Sequence, residues 1–298
     1  MEKLKPNFEI EDDNDILASM KEAYNACAPA VKYCKEIGIP DDKIDDNITK
    51  IFDFVCDINY CKKCPGVKEC KKNNPLLVSK VTYKNEVVSN TLVPCKALLK
   101  QMAFDKQFKV RDFPEEWLYK KLKDLDETNE RKLALKKYVD YLKGGYSGWI
   151  YLTGGMGTGR SFFSALVTVD AANRNIGPIC FLNSANRVRE LNDIAYSKKG
   201  NDFQEALDRY CQVPILVLDD FGNEFKNDFV RDAIIYPILS YRANKNLFTI
   251  ITSDFSINDL KTLYGMNKAG EIRARQIATL LQKECGTEIN LGDLKIYQ

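Results

Sequence analysis

The run Trp149-Ile150-Tyr151-Leu152-Thr153 stops abruptly at Gly154-Gly155-Met156-Gly157-Thr158-Gly159-Arg160-Ser161, and a helix-forming stretch follows to Arg174. A short apolar run of this kind is a buried strand. A strand that turns through glycines into a helix can close only a few ways. The spacing Gly, four residues, Gly, Lys, Ser or Thr is that of a phosphate-binding loop. Gly154, Gly159 and Ser161 satisfy it, and Arg160 stands where Lys is expected. In such a turn the backbone N–H groups form an anion nest, and the dipole of the following helix adds to it. Glycines are required where φ is positive or where a side chain would block the ligand. The nucleotide-contacting candidates are therefore Gly154, Gly155, Met156, Gly157, Thr158, Gly159, Arg160, Ser161 and Phe162, with the Ser161 hydroxyl offered to Mg²⁺. The plainer reading is a glycine-rich turn with no ligand; the strand before and the helix after favour phosphate.

Three further apolar runs follow: Pro178 to Leu182, Pro214 to Leu218 and Leu247 to Thr252. Helical segments separate them, at about 185–196, 202–211 and 227–243. Continuous apolar strands alternating with helices predict a parallel sheet covered on both faces. Ligands of such sheets bind at the carboxyl ends of the strands. Asp219-Asp220 sits at one such end, so Asp219 is a candidate Mg²⁺ ligand and Asp220 a candidate to orient or deprotonate water. Thr252-Ser253-Asp254 sits at another, where Ser253 or Asp254 could touch that water. Ser253, Asp254 and Ser256 are equally good helix N-caps.

The first hundred residues have another character. Residues 12–36 and 43–55 carry apolar side chains at helical spacing, with Pro40-Asp41-Asp42 breaking the two segments. Two β-like runs, Leu76 to Tyr83 and Glu86 to Val93, flank a turn at Asn85. Seven of the ten cysteines lie between Cys27 and Cys95, and the chain has no histidine. A His-dependent triad is thereby excluded, and a zinc site would have to be built from thiolates. Cys61-x₂-Cys64-x₅-Cys70 followed by Cys95 matches a tetrathiolate zinc site. Lysines around it, among them Lys62, Lys63 and Lys68, would offset its charge. Cys56 competes for a ligand position, Cys27 and Cys34 read as helix core, and Cys180, Cys211 and Cys285 read as buried free thiols.

Between these parts, Phe113-Pro114 and Gly144-Gly145 bracket a charged segment. It reads as a linker plus a leading helix, docked through Trp117, Leu118, Leu122, Leu133 and Tyr138. The expected organisation is a small α+β zinc domain over 1–105, a helical linker over 106–145 and an α/β nucleotide-binding domain over 146–298. The net charge of +2 neither demands nor excludes a nucleic acid partner. No apolar run is long enough to span a membrane, and Met1-Glu2-Lys3-Leu4-Lys5-Pro6 lacks the apolar core of a signal peptide. A cytoplasmic location is the expectation.

With these pieces in order the chain resembles the bacterial replicative-helicase loaders of the DnaI type, within the AAA+ ATPases. The stretch Val217-Leu218-Asp219-Asp220-Phe221-Gly222-Asn223-Glu224 carries the resemblance most clearly. Val230-Arg231-Asp232, Ile238-Leu239-Ser240-Tyr241-Arg242 and Thr252-Ser253-Asp254-Phe255 extend it. The resemblance implies an AAA+ module with a five-stranded parallel sheet that binds ATP or ADP with Mg²⁺ and single-stranded DNA. It also implies self-assembly through that module, and an amino-terminal Zn²⁺ domain that grips the hexameric replicative DNA helicase.

The departures from the family pattern are as informative. Arg160 replaces the loop Lys, and Asp254 replaces an Asn that orients water. The family carries two arginines four residues apart near the carboxyl terminus. Here the best register gives Gln276 and Leu280, and a shift by one gives Arg275 and Thr279. Arg273 and Arg275 are the remaining candidates to act on a neighbouring subunit, or are plain surface charges. Because Arg is not a conservative replacement for Lys at a point-charge site, weak hydrolysis is expected. Two other readings stay open: an ATPase serving transposition or another DNA transaction, and a nucleotide-independent DNA-binding scaffold using Arg187, Arg189, Lys198 and Lys199.

Overall fold

A computed structural model describes residues 13–145, 148–197 and 200–292. Its chain separates into two units, one ending at Met102 and the other beginning at Ala103.

The first unit contains helices α1 (Asp13–Ala26), α2 (Ala28–Glu36), α3 (Asp41–Asp46) and α4 (Ile48–Cys61), and strands β1 (Leu77–Lys84) and β2 (Val87–Pro94). The strands form an antiparallel hairpin, closed by Lys84 opposite Val87. Asn85 and Glu86 both take positive φ, 49° and 62°. That pair of left-handed residues matches the right-handed twist of the strands, which is why a two-residue turn works here. Ile48, Ile51 and Val55 fall on one face of α4 and pack with Ala30, Cys34, Val81 and Val88. Cys27 and Cys34 are buried in this core, as their helical spacing suggests.

Helix α5 (Lys96–Gln107) carries the chain into the second unit. There follow β3 (Phe108–Arg111), α6 (Asn129–Leu142), β4 (Ile150–Thr153), α7 (Arg160–Asn173), β5 (Ile179–Asn183), α8 (Ser184–Tyr196), α9 (Gly200–Gln212) and β6 (Ile215–Asp219). The chain continues through α10 (Tyr236–Asn244), β7 (Phe248–Thr252), α11 (Asp259–Tyr264), α12 (Lys268–Cys285) and β8 (Ile289–Asn290). The sheet runs β3-β5-β6-β7-β4-β8, with every pairing parallel. Among the described residues it has six strands, not the five expected. The strand at one edge, β3, comes from the segment expected to be a linker. An edge strand is covered less fully, and Phe108–Arg111 alternates between half-buried and exposed residues, so it lacks the continuous apolar run that marks the central strands.

Residues of β4, β6 and β7 are buried throughout. Alternate side chains enter opposite cores: Tyr151, Leu216, Leu218 and Ile251 pack with α8, α9, α10 and α12, while Ile150, Leu152, Val217 and Ile250 pack with α6 and α7. Trp117, Leu118, Leu122 and Tyr138 join the second core. Leu133, expected beside them, is exposed instead. The helix expected over 227–243 is divided. A π-helical turn spans Val230–Ile235, and α10 begins at the residue before Pro237. Proline has no N–H to close the usual ladder, and the register widens by one residue ahead of it.

Arg242, part of the motif series, is fully buried at the amino-terminal end of this sheet. It donates to the carbonyls of Val213 at 2.6 Å and Phe248 at 2.7 Å, and to the Thr249 hydroxyl at 2.9 Å. It ties α10 to the starts of β6 and β7 and lies at the end of the sheet opposite to the ligand crevice. Its role is structural. Arg242→Leu would leave several buried carbonyls without donors, and we expect urea denaturation to show a loss of at least about 3 kcal/mol; an unchanged midpoint and slope would contradict this role.

Candidate functional site

The glycine loop joins β4 to α7 as its spacing requires. Gly154, Gly157 and Gly159 have φ of 138°, 77° and 84°. A Cβ at Gly154 would lie 2.7 Å from the Gly292 carbonyl oxygen, so no other residue fits there. Gly155 N–H donates to that same carbonyl at 2.9 Å, and the Thr158 hydroxyl donates to the Gly155 carbonyl at 2.9 Å. Met156 is exposed on the loop, and Phe162 lies edge-on to Trp117 with centroids 5.3 Å apart. Two groups that the spacing could not reveal hold the loop: Gly292, just past β8, and Arg131 on α6. The Arg131 guanidinium donates to the Thr158 carbonyl at 3.0 Å and to Asp126 at 3.1 Å.

The two acidic positions converge on this loop. Asp219 is buried at the end of β6 and accepts from the Thr252 hydroxyl at 2.7 Å. Burial pushes its carboxyl up to about 6; hydrogen bonds from Thr252 and Ser161 oppose the rise, as does the Arg160 charge, while Asp220 adds to it. Ser161 and Asp219 thus touch, the pairing expected of two Mg²⁺ ligands. Asp220 takes a positive φ of 55°, and its N–H donates to the Thr252 hydroxyl at 3.0 Å. Burial raises its carboxyl, with the Asp254 charge assisting and Arg160 opposing. Asn183, at the end of β5, reaches Asp220 at 3.5 Å.

Arg160 is buried, and its guanidinium points across the strand ends to β7 rather than along the loop. It donates to the Ser253 carbonyl and pairs with the Asp254 carboxylate. Burial alone would raise Asp254, but hydrogen bonds from Asn223 and Arg160 and the Arg160 charge hold it below the usual carboxylate range. Ser253 is fixed between strands: its hydroxyl donates to the Phe221 carbonyl at 2.6 Å, and its N–H to the Leu152 carbonyl at 3.0 Å. Behind them Glu224 is buried, accepting from Gly222 N–H at 3.0 Å and from the Tyr264 hydroxyl.

The remaining candidates divide. Arg275 is exposed on α12, with its Nε donating to the Glu271 carbonyl at 3.3 Å. Arg273 is committed within the unit. It stacks on Tyr236 at 4.0 Å, pairs with Asp232 at 3.3 Å and donates to Gln276 at 2.8 Å. Arg187, a proposed DNA-facing residue, is forked onto Asp112 and also pairs with Glu190. Arg189 is exposed; Lys198 and Lys199 lie outside the described residues, as does Met1 to Pro6. Among the described residues no helix is long and apolar enough to cross a membrane.

In the first unit, Cys61, Cys64, Cys70 and Cys95 line one small cavity, with Tyr60, Lys72 and Leu77 in its wall. Cys56 faces a different cavity, with Asp53 and Asp57. Backbone N–H groups of Leu76 and Lys72 draw the Cys70 thiol below its ordinary range, and burial pushes Cys61 up. The Cys95 sulfur accepts from Leu98 N–H at 3.4 Å, at the start of α5. As the side chains stand, no three Cys, Asp or Glu among the described residues are placed to share a metal ion.

A pH dependence follows from Asp219. A carboxyl raised in the folded state stabilises the fold fully only below its unfolded value, and that contribution disappears as pH rises through about 6. Ligand-free Asp219→Asn is therefore expected to be more stable than the parent above neutrality, by about 1–3 kcal/mol. The gap should close as the pH approaches about 4, and Mg²⁺-dependent nucleotide binding should be lost. Denaturant titration across this pH range is the check.

Comparison with known proteins follows the same lines. The replicative helicase loader DnaI of Bacillus subtilis (strain 168) is 25% identical over 281 residues, covering 91% of this chain and 85% of that protein. A crystal structure of DnaI is 27% identical, covers 62% of this chain and 97% of its own, and superposes with a TM-score of 0.54. A structure from Streptococcus pyogenes serotype M3, 24% identical with a TM-score of 0.52, covers 64% of this chain and 96% of its own and shares the fold. The family described as IstB-like ATP binding protein matches residues 93–271. With a glycine loop, a strand-end aspartate pair and that match over most of its length, the chain belongs to the IstB-like ATP-binding proteins and is similar to the DnaI helicase loaders.

Proposed function

We propose that this protein is a helicase loader of DNA replication whose larger unit binds ATP or ADP with Mg²⁺. The observation that carries this is the likeness to a replicative helicase loader across 91% of the chain, reaching through both units. A likeness confined to the nucleotide module would leave the partner open. The partner is then the hexameric replicative DNA helicase, held by residues 1–105. Single-stranded DNA and further copies of the chain are partners of the larger unit, with exposed Arg275 the candidate to reach a neighbour. A cytoplasmic location accords with this work.

In the nucleotide site, the N–H groups of the loop and the α7 dipole would hold the phosphates. Ser161 and Asp219 would hold Mg²⁺, which supplies charge neutralisation at the phosphates. Asp220 would orient a water, with Asn183 steadying its carboxylate. The fit of the ion rests on Asp219, a buried carboxylate already in contact with Ser161. The arrangement supports binding better than turnover, since the loop motif's own cation, Arg160, is directed to Asp254.

Zn²⁺ is the proposed structural ion of the first unit, held by Cys61, Cys64, Cys70 and Cys95. Their shared cavity supports this set over one including Cys56. The four thiolates would tie the end of α4 to the end of β2, and the ion would contribute to folding.

Co-purification with the cognate hexameric helicase tests the central reading. Residues 1–105 should suffice for capture, and failure of the full chain to bind the helicase overturns it. An ATPase strongly stimulated by duplex DNA, without helicase contact, would favour the transposition-type reading instead. Elemental analysis should find about one zinc per chain, and Cys64→Ser should remove it and lower the melting temperature of the first unit. Zinc retained at full occupancy in that variant excludes the ligand set.

A further inference from the structure

The two departures from the motif pattern in the glycine loop and at the end of β7 are in contact with each other. Arg160 leaves the first turn of α7 and ends on Asp254, and the same guanidinium is also bound to the Ser253 carbonyl. The second Asp254 oxygen accepts from Asn223 at 2.9 Å, so the carboxylate is fixed on both sides. Ser253 is itself fixed to the carbonyls of Leu152 and Phe221. The ion pair is therefore anchored to the ends of β4, β6 and β7 together, and the Arg160 end of it is buried.

The cation at this loop position ordinarily reaches the β- and γ-phosphates. A lysine does so as a compact point charge, whereas an arginine is a planar fork that seeks two oxygen partners. Here both partners are supplied by the protein. Three carboxylates, Asp219, Asp220 and Asp254, share the field of this one arginine. A terminal phosphate arriving at this end of the site meets a cation already engaged and a carboxylate in its vicinity. A diphosphate, held by the loop N–H groups, avoids that opposition.

We propose that Asp254 acts as an internal stand-in for the terminal phosphate, so that the site favours a nucleoside diphosphate over the triphosphate. This deepens the nucleotide-binding reading above and rests on it. The contact between Arg160 and Asp254 also makes one unit of the two replacements: the Asp254 charge opposes ionisation of Asp220, and the Arg160 charge offsets it.

Calorimetric titration of the full chain with Mg-ADP and with the Mg-bound β,γ-imido analogue of ATP tests this, because it reads affinity without hydrolysis. The parent should bind ADP more tightly by on the order of ten-fold. Asp254→Asn, close in shape but uncharged, should bring the two affinities together or invert them, and Arg160→Lys with Asp254→Asn should favour the triphosphate analogue. A parent that binds the analogue as tightly as ADP overturns the inference, as does an unchanged ratio in Asp254→Asn. Asp254→Ser is the second variant if the first does not melt cooperatively. Triphosphate binding seen only in the variants, with the parent binding neither nucleotide, overturns the diphosphate preference but leaves the nucleotide site standing. Binding of neither nucleotide by any of the proteins fails the nucleotide reading itself, and the inference with it.

Discussion

A parallel sheet buried on both faces leaves polar side chains few places to stand. Along β4, β6 and β7 every position faces a core, so charge collects where the strands end. Parallel strands all end on the same side. Asp219, Asp220, Ser253 and Asp254 are thereby brought to the glycine loop, although all of them lie far from it in sequence. The opposite end of the sheet shows the same constraint in structural form: Arg242 enters a buried position, and backbone carbonyls of the 210–214 stretch and of Phe248 accept from it.

Within the site, electrostatics divides the carboxylates by environment. Asp219 is buried with hydroxyl donors and is raised to about 6, which makes it costly to ionise without a cation beside it. Asp254 has a guanidinium and an amide and stays ionised readily. The buried acid is thus suited to an ion that arrives with the nucleotide, and the paired acid to a permanent internal contact. The same arginine that leaves the phosphate path relieves the strand ends of part of their negative charge.

Much of this was legible in the residues. The loop spacing marked Gly154 to Ser161, and the apolar runs marked the four central strands, because both signals are local and periodic. Less was legible at the edges. Phe108–Arg111 pairs in the sheet yet reads as part of a charged linker, since an edge strand needs only one covered flank. Gly292 and Arg131 brace the loop through backbone atoms, a contact that leaves no mark on residue type beyond the glycine itself. Arg187 looked like a free surface cation until Asp112, which follows β3, was placed beside it.

By itself the sequence determined the strand–loop–helix, the strand-end acids, the absence of histidine chemistry and the cysteine framework. These depend on spacing within one segment, and backbone sterics allow such spacing few outcomes. Only the tertiary structure decided which acid meets which base. Arg160 and Asp254 are separated in sequence by three strands, β5, β6 and β7, and the helices between them, and their pairing follows from parallel register, which sets the start of α7 beside the end of β7. Two replacements that read as separate defects along the chain are one ion pair in the fold, because the carboxylate of exposed Asp254 offsets the desolvation of the buried Arg160 guanidinium.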